Sequence, residues 1–389
     1  MLTSHANILA RIMRCLCSIH IFQEIGPDVF GNNAISELLV NNEPLRAYIL
    51  LLALTCASAL DLYTSSDYLP KTLYDEKKGP SYKVDETAWQ EATGTTKPRW
   101  DWLEETISVV ELSSGSRNAR ATVAYPGVFG SELKNAISRA ADNRDQIIKR
   151  PEHAIFSLAM VGGGQVTGRA HLHDFPWASL GSATVVDVGG GVGKSPSRGN
   201  SRVLSESMLM DECPTGGFCL QLSQLYPDLK FVLQDRGDAI EKARSEVWPR
   251  ENAAALESGR IDFEVHDFFD VNPVRGADVY WLRYVLHNWS DDYCVRILGA
   301  IKESMGPRSR VLICGCRELT PAPAPLLANW GYSTRYSHQR DLAMMAIING
   351  IERKPEEFRA LAERAGLYLR KIWDCRSQVG LVEMVLPDS

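Results

Sequence analysis

The stretch Val185-Val186-Asp187-Val188-Gly189-Gly190-Gly191-Val192-Gly193 constrains this chain more than any other. Thr184–Val188 is an apolar run broken only by Asp187, the pattern of a short, fully buried strand. Glycines directly after a strand let the backbone turn sharply and approach a ligand with no Cβ in the way. Further short apolar runs follow at Lys230–Leu233, Asp262–Val265, Ala277–Leu282 and Arg310–Cys314, with helical patterns between them, among them Asp291–Met305 and Lys354–Ala365. Strands alternating with helices predict an α/β fold with a parallel, doubly wound sheet. Tyr368–Trp373 and Gly380–Val385 close the chain as two strands of an antiparallel hairpin.

A glycine turn of this kind serves several cofactors, and two details discriminate. Asp187, two residues before the first glycine, suits the cationic end of S-adenosylmethionine and would be a poor neighbour for a pyrophosphate. Position 194, where a dinucleotide motif needs its third glycine, is Lys194. Gly189 and Gly191 then form the cofactor floor. An acid ending the second strand would grip ribose hydroxyls, and Asp235 in Gln234-Asp235-Arg236 stands there. Past the third strand, Asp267 and Phe268 offer an acceptor for an adenine amino group and a ring to cover its face. Past the fourth, Leu282-Arg283-Tyr284-Val285-Leu286-His287-Asn288-Trp289-Ser290 lies at the carboxyl edge where such sheets bind ligands. A His there has a pKa range suited to taking a phenolic proton, and Ser290 would cap the helix beginning at Asp291. The bland alternatives are a tight turn without ligand, a helix-capping Asp235 and a helix-capping His287.

The first 150 residues follow another pattern. Ile8, Ile12, Leu16 and Ile19 recur at helical spacing, Ile25–Asn33 reads as a turn, and Ala34–Leu39 as a short helix. Small helices with an extended wing suggest a winged-helix-like module. A net charge of -6 without a dense Lys/Arg face argues against nucleic acid as the partner and for a dimerisation or substrate-lid role. Tyr48–Leu60, the longest apolar run, is too short to span a bilayer and predicts a buried helix. Arg11 and Arg14 interrupt the apolar N-terminal stretch, so no signal peptide is expected. Nine cysteines without a Cys-x-x-Cys pair predict reduced thiols and a cytoplasmic protein. The acid and His spacing contains no metal-ligand set.

In this order these motifs resemble the S-adenosylmethionine-dependent O-methyltransferases of the caffeic-acid type, particularly their fungal natural-product branch. The likeness includes Pro151-Glu152-His153-Ala154-Ile155-Phe156 and the C-terminal hairpin. It implies a Rossmann-like class I methyltransferase sheet over 151–389, preceded at 1–150 by a helical, winged-helix-like dimerisation and lid region, truncated at its N-terminus. It implies a homodimer acting on a hydroxyl, phenolic or polyketide-like, of a small aromatic natural product. By motif matching His287 would be the general base, and Glu352 in Asn349-Gly350-Ile351-Glu352-Arg353 the acid that orients it. Asp235, Asp267, Phe268 and Arg283 would fall on cofactor positions. After the fifth strand the family usually carries an acid where this chain has Gly315, with Glu318 displaced by three residues. An inactive cofactor-binding homologue and an NAD(P)-dependent oxidoreductase are the competing readings.

The ribose acid should follow the glycine turn by about twenty residues. Asp235 lies 42 beyond Gly193, and omitting Lys194–Gly216 restores a distance of 19. The omitted stretch is rich in Ser, Arg and Gly and lacks periodicity; Gly193-Lys194-Ser195 and Thr215-Gly216 can be encoded across splice junctions. It therefore reads as an insertion, a retained intron in origin. A polar loop here leaves global stability nearly intact, since each doubling of loop length costs only about 0.6 kcal/mol, but it interrupts the cofactor floor. Deleting Lys194–Gly216 is expected to raise the affinity for S-adenosylhomocysteine in calorimetry. Unchanged affinity, with the segment present in the dominant transcript, would make it a genuine loop.

Overall fold

The computed structural model describes residues 3–53, 62–108, 147–150, 152–153, 156, 159–160, 162–164, 168–190, 217–316, 332–377 and 379–387. Gly191, Gly193, the 194–216 segment and Glu318 lie outside the described residues.

Seven of the strands form one sheet. In chain order the small N-terminal strands are β1 (Phe22–Gly26), β2 (Val29–Asn32), β3 (Thr106–Ser108) and β4 (Ile147–Lys149). The sheet strands are β5 (Thr184–Val188), β6 (Lys230–Asp235), β7 (Ile261–Val265), β8 (Val279–Arg283), β9 (Arg310–Cys316), β10 (Tyr368–Trp373) and β11 (Gly380–Val385). Their spatial order is β10-β11-β9-β8-β5-β6-β7. Pairings from β7 through β9 are parallel, and β11 runs antiparallel to both β9 and β10. The expected α/β sheet and its closing hairpin are thus present. Chain order reverses between β5 and β8, which makes their carboxyl ends the crevice for a ligand.

Both faces of the sheet are covered, as the continuous apolar strands require. Alternate residues feed two cores: Val185, Leu233, Val279, Trp281 and Leu381 on one face, and Val186, Tyr280, Leu282, Val311 and Val382 on the other. Helix Gly217–Leu225 packs on the first face, where Phe218 stacks on Trp281 with ring centroids 4.4 Å apart and planes at 14°. Helices Asp291–Lys302 and Pro355–Ala365 pack against each other on the second.

The N-terminal region comprises helices Thr3–Ser18, Ala34–Glu37, Glu43–Ala53, Leu62–Tyr74, Ala88–Thr93 and Arg99–Glu104. Its core joins Trp89 and Trp102, edge to face at 5.3 Å, with Ile347 and Ile348 of helix Tyr332–Ile348. That helix comes from the C-terminal half and packs on Leu62–Tyr74 and Ala88–Thr93. The two halves therefore share one core.

Several local expectations change. Ile25–Asn33 is not a simple turn: β1 and β2 pair as an antiparallel hairpin, and Asp28 at φ 57° takes the left-handed conformation that such tight connections need. Asn33 then caps Ala34–Glu37 by accepting from the amides of Ile35 and Ser36. The apolar stretch read as a helix over Tyr48–Leu60 contributes to Glu43–Ala53, with 54–61 outside the described residues. Ser290 occupies the N-cap position of Asp291–Lys302, but its side chain makes no capping bond. The fourth strand begins at Val279, not Ala277, and runs to Arg283, which places Arg283 on the strand's last position. Cys15, Cys17, Cys219, Cys294, Cys314 and Cys375 are free thiols, and among the described residues no helix is long and apolar enough to cross a membrane.

Trp281 is fully buried and contacts Trp177 as well as Phe218. Trp281→Ala is expected to cost about 3–5 kcal/mol, read as a lower urea midpoint at unchanged slope. A loss below about 1 kcal/mol would contradict this packing.

Candidate active site at the carboxyl edge of the sheet

The glycine turn leaves β5 against the end of β6. Gly189 has φ +73°, and a Cβ there would stand 3.2 Å from Val285 Cγ2 and 3.7 Å from the Phe268 ring. Glycine is therefore favoured both by the left-handed backbone and by the close approach of Val285. At Gly190 a Cβ would meet Leu233 Cδ1 at 2.5 Å and the Asp187 carboxylate at 2.9 Å. The amides of Gly189 and Gly190 both donate to Gln234 O, at 2.9 and 3.1 Å. At these two positions they fasten the turn to the residue preceding Asp235.

Asp187 is 3% exposed. Burial pushes its carboxyl up to about 7, opposed by a hydrogen bond from the Cys219 thiol, with the Asp235 charge adding to the rise and Arg283 countering it. The Cys219 contact places helix Gly217–Leu225 directly beside the turn. Gly190 and Gly217, 27 positions apart in sequence, thus flank one local structure. Asp235 is half-buried at the end of β6. Arg236 beside it pairs with Glu104 of the N-terminal region at 2.8 Å.

The other expected cofactor residues separate. Phe268 faces the turn, in an aromatic group with Phe269 and Trp289. Asp267 is exposed, and its Oδ1 accepts from the Phe269 amide at 3.0 Å, which shapes the loop. Arg283 points behind the turn, with Nη2 3.5 Å from Gly164 O and so close to Gly168 that a Cβ there would lie 2.5 Å away.

His287 sits in the short turn Leu286–Asn288 past β8. Its Nδ1 lies 2.7 Å from Glu352 Oε1, which makes Nδ1 the donor; in a neutral imidazole Nε2 is then the acceptor. The Glu352 Oε2 atom accepts from Arg340 Nη2 at 2.5 Å, and its backbone amide donates to Asp341 Oδ1 at 2.9 Å. Burial would raise the Glu352 carboxyl, but His287 and Arg340 together hold it down at about 2. Its pairing stabilises the fold above the ordinary carboxylate range and is lost as pH falls through about 2.

Two further residues build this turn and were not singled out from the sequence. Arg353 is 4% exposed and clamps the turn to the next helix, donating to Leu286 O at 2.9 Å, Trp289 O at 2.7 Å and Asp291 Oδ1 at 2.8 Å. A Cβ on Gly350 would lie 2.2 Å from His287 O, while the Ile351 amide donates to that same carbonyl at 2.9 Å. Asn349-Gly350 is a sequence signal for a left-handed turn, and Asn349 does have φ 52°. Asn349 Nδ2 in turn donates to Lys83 O at 2.7 Å, tying the N-terminal region to this loop.

Comparison with known proteins now decides the family. The sequence profile of the O-methyltransferase domain matches residues 207–368. O-methyltransferase gedA of Aspergillus terreus is 52% identical over 389 aligned residues, covering 98% of this chain and 72% of that protein. The chain belongs to the O-methyltransferase family. O-methyltransferase tpcA of Aspergillus fumigatus is 51% identical, with 98% of this chain and 72% of that protein aligned. Among solved structures, the O-methyltransferase NcsB1 from neocarzinostatin biosynthesis, in complex with S-adenosylhomocysteine and 1,4-dihydroxy-2-naphthoic acid, superposes with TM-score 0.54 at 23% identity. That match covers 98% of this chain and 86% of that one. OxaC in complex with S-adenosylhomocysteine and oxaline superposes with TM-score 0.58 at 20% identity, over 98% and 75% of the chains. The fold and the enzyme class read from the sequence hold, and the family removes the oxidoreductase reading. S-adenosylmethionine, the cofactor expected from the glycine turn, is the one whose demethylated form both structures carry.

Gly350→Ala is expected to displace the His287 carbonyl. It should lower the melting temperature by several degrees, and turnover at least tenfold, while S-adenosylhomocysteine still binds. Full activity in Gly350→Ala would contradict the close approach.

Proposed function

We propose that this O-methyltransferase transfers a methyl group from S-adenosylmethionine to a phenolic hydroxyl of a small aromatic or polyketide-like natural product, with His287 as the general base. The observation that carries this reading is the His287–Glu352 contact at 2.7 Å, a base oriented by a buried carboxylate at the sheet's switch point. S-adenosylmethionine supplies a methyl group already activated by its sulfonium, so the protein must align the acceptor and take its proton. Nδ1 is engaged by Glu352, and Nε2 is the atom that receives the phenolic proton. Glu352 stabilises the imidazolium that results.

Two features favour the cofactor site. Asp187 is a buried carboxyl whose anion would be stabilised by a cationic ligand group above the turn. The space bounded by Gly189, Val285 and Phe268 is one that any side chain at 189 would fill. Asp187, Gly189 and Gly191 would form its floor, Asp235 would hold the ribose hydroxyls and Phe268 would cover the adenine. Asp267 and Arg283 would act at the margins, Asp267 through the loop that carries Phe268 and Arg283 from behind the turn.

The region 1–150 serves as lid and dimerisation region and 151–389 as the catalytic domain, with 194–216 an insertion at the cofactor floor. Tyr48, Trp100, Phe156 and Met344, all half-buried around the shared core, offer the flat apolar walls that suit an aromatic acceptor. Leu9, Ile12, Ile19, Ile25 and Val29 are each more than half exposed. Such an apolar face on the first helix and hairpin is suited to a second copy of the chain. The reading places the enzyme in the cytoplasm.

His287→Ala is expected to abolish methyl transfer across a panel of phenols while S-adenosylhomocysteine binds within a few-fold of its original affinity in calorimetry. Unchanged turnover would remove His287 from the base role. Cofactor binding without turnover in the unaltered chain would favour an inactive homologue.

A further inference from the structure

His287 has one carboxylate partner among the described residues. Position 315 carries glycine, and a Cβ built there meets nothing within 4 Å among the described residues. Among the described residues, Glu352 is the carboxylate that orients the imidazole. A carboxylate with two oxygens, whose side chain is 7% exposed, cannot leave one of them unpaired without a large desolvation cost. His287 takes one oxygen, and helix Tyr332–Ile348 engages Glu352 twice more from adjacent positions. Arg340 bonds the free carboxylate oxygen at 2.5 Å, and Asp341 takes the Glu352 backbone amide at 2.9 Å. The Arg340 guanidinium also lies 5.5 Å from the centre of the Tyr284 ring, and that ring is 5.5 Å from the His287 ring. Arg340, Glu352, His287 and Tyr284 thus form a closed ring of contacts.

We propose that Arg340 is a positioning residue for methyl transfer, fixing the Glu352 carboxylate on His287 Nδ1 and, through its positive charge one carboxylate away, offsetting part of the Glu352 charge felt by the imidazole. The proposal rests on the reading of His287 as the base. Two effects of Arg340 are separable. Its hydrogen bond sets the plane of the carboxylate and so the tautomer of His287. Its charge offsets part of the Glu352 field that would otherwise hold a proton on the imidazole. The other groups around His287 do not take this part. Arg353 is paired with Asp291 at 2.8 Å and bonds backbone carbonyls of the turn. Asp341 is spent on the Glu352 amide, and Tyr284 presents its ring.

The sign follows from the charges. Removing a cation near an imidazolium favours the protonated form, so His287 should titrate at higher pH without Arg340. The test is an NMR titration of 15N-histidine-labelled protein saturated with S-adenosylhomocysteine, with His287 assigned by its loss in His287→Ala. Arg340→Met is expected to raise the His287 midpoint by about one pH unit and to move the acid limb of kcat up by the same amount. Arg340→Gln, which keeps a hydrogen-bond donor without charge and disturbs the packing less, is expected to raise it similarly. Glu352→Gln should lower it. A midpoint in Arg340→Met and Arg340→Gln equal to that of the unaltered protein would overturn the proposal. Turnover retained in His287→Ala would instead overturn the base assignment and leave the midpoint shift standing, so the two failures are distinguishable.

Discussion

A buried carboxylate that stays ionised needs partners, and Glu352 meets that requirement by bridging His287 and Arg340. Much of the architecture around the site follows from this bridge. Arg340 lies on helix Tyr332–Ile348, so the helix must cross the carboxyl edge of the sheet within reach of the turn after β8. The same helix buries Ile347 and Ile348 against Trp89 and Trp102. The N-terminal region is thereby drawn over the edge where the base stands, and Asn349 fastens it there through Lys83 and Glu86. Packing of the two halves and orientation of the base are consequences of one arrangement.

The second constraint is the closeness of β5 to β6 at the switch point. Gly189 and Gly190 lean on Gln234, whose side chain is itself held by Asn272 and Glu264. Anything that moves the end of β6 therefore moves the turn and Asp235 together. Cys219 bonded to Asp187 carries the same coupling to the helix beyond the 194–216 segment. A long segment between turn and helix does not by itself separate them, in keeping with the slow growth of loop entropy with length.

Much of this was legible in the sequence, for reasons of period and position. Continuous apolar runs such as Val279–Leu282 belong to strands buried on both faces, and glycines at a strand end mark the turn. His287 could be placed because it follows a strand at the edge where this topology binds ligands. The pairing with Glu352 came from resemblance, since 65 residues separate the two and no local signal links them. Arg340 and Arg353 were illegible for the same reason, and Asn349-Gly350 signals a turn but not its partner: each acts on the His287 turn through a contact formed only in the folded chain. The hairpin at Phe22–Asn32 was missed because its tight connection depends on Asp28 in a left-handed conformation, which Asp adopts only in context.

The central claim is that the crevice between β5 and β8 holds the methyl donor beside His287. The most direct measurement is a crystal structure of the full chain with S-adenosylhomocysteine. The account predicts the ribose on Asp235, the adenine against Phe268 and the sulfur on the His287 side of the Gly189 turn. A ligand bound elsewhere, or an empty crevice at saturating S-adenosylhomocysteine, would contradict it.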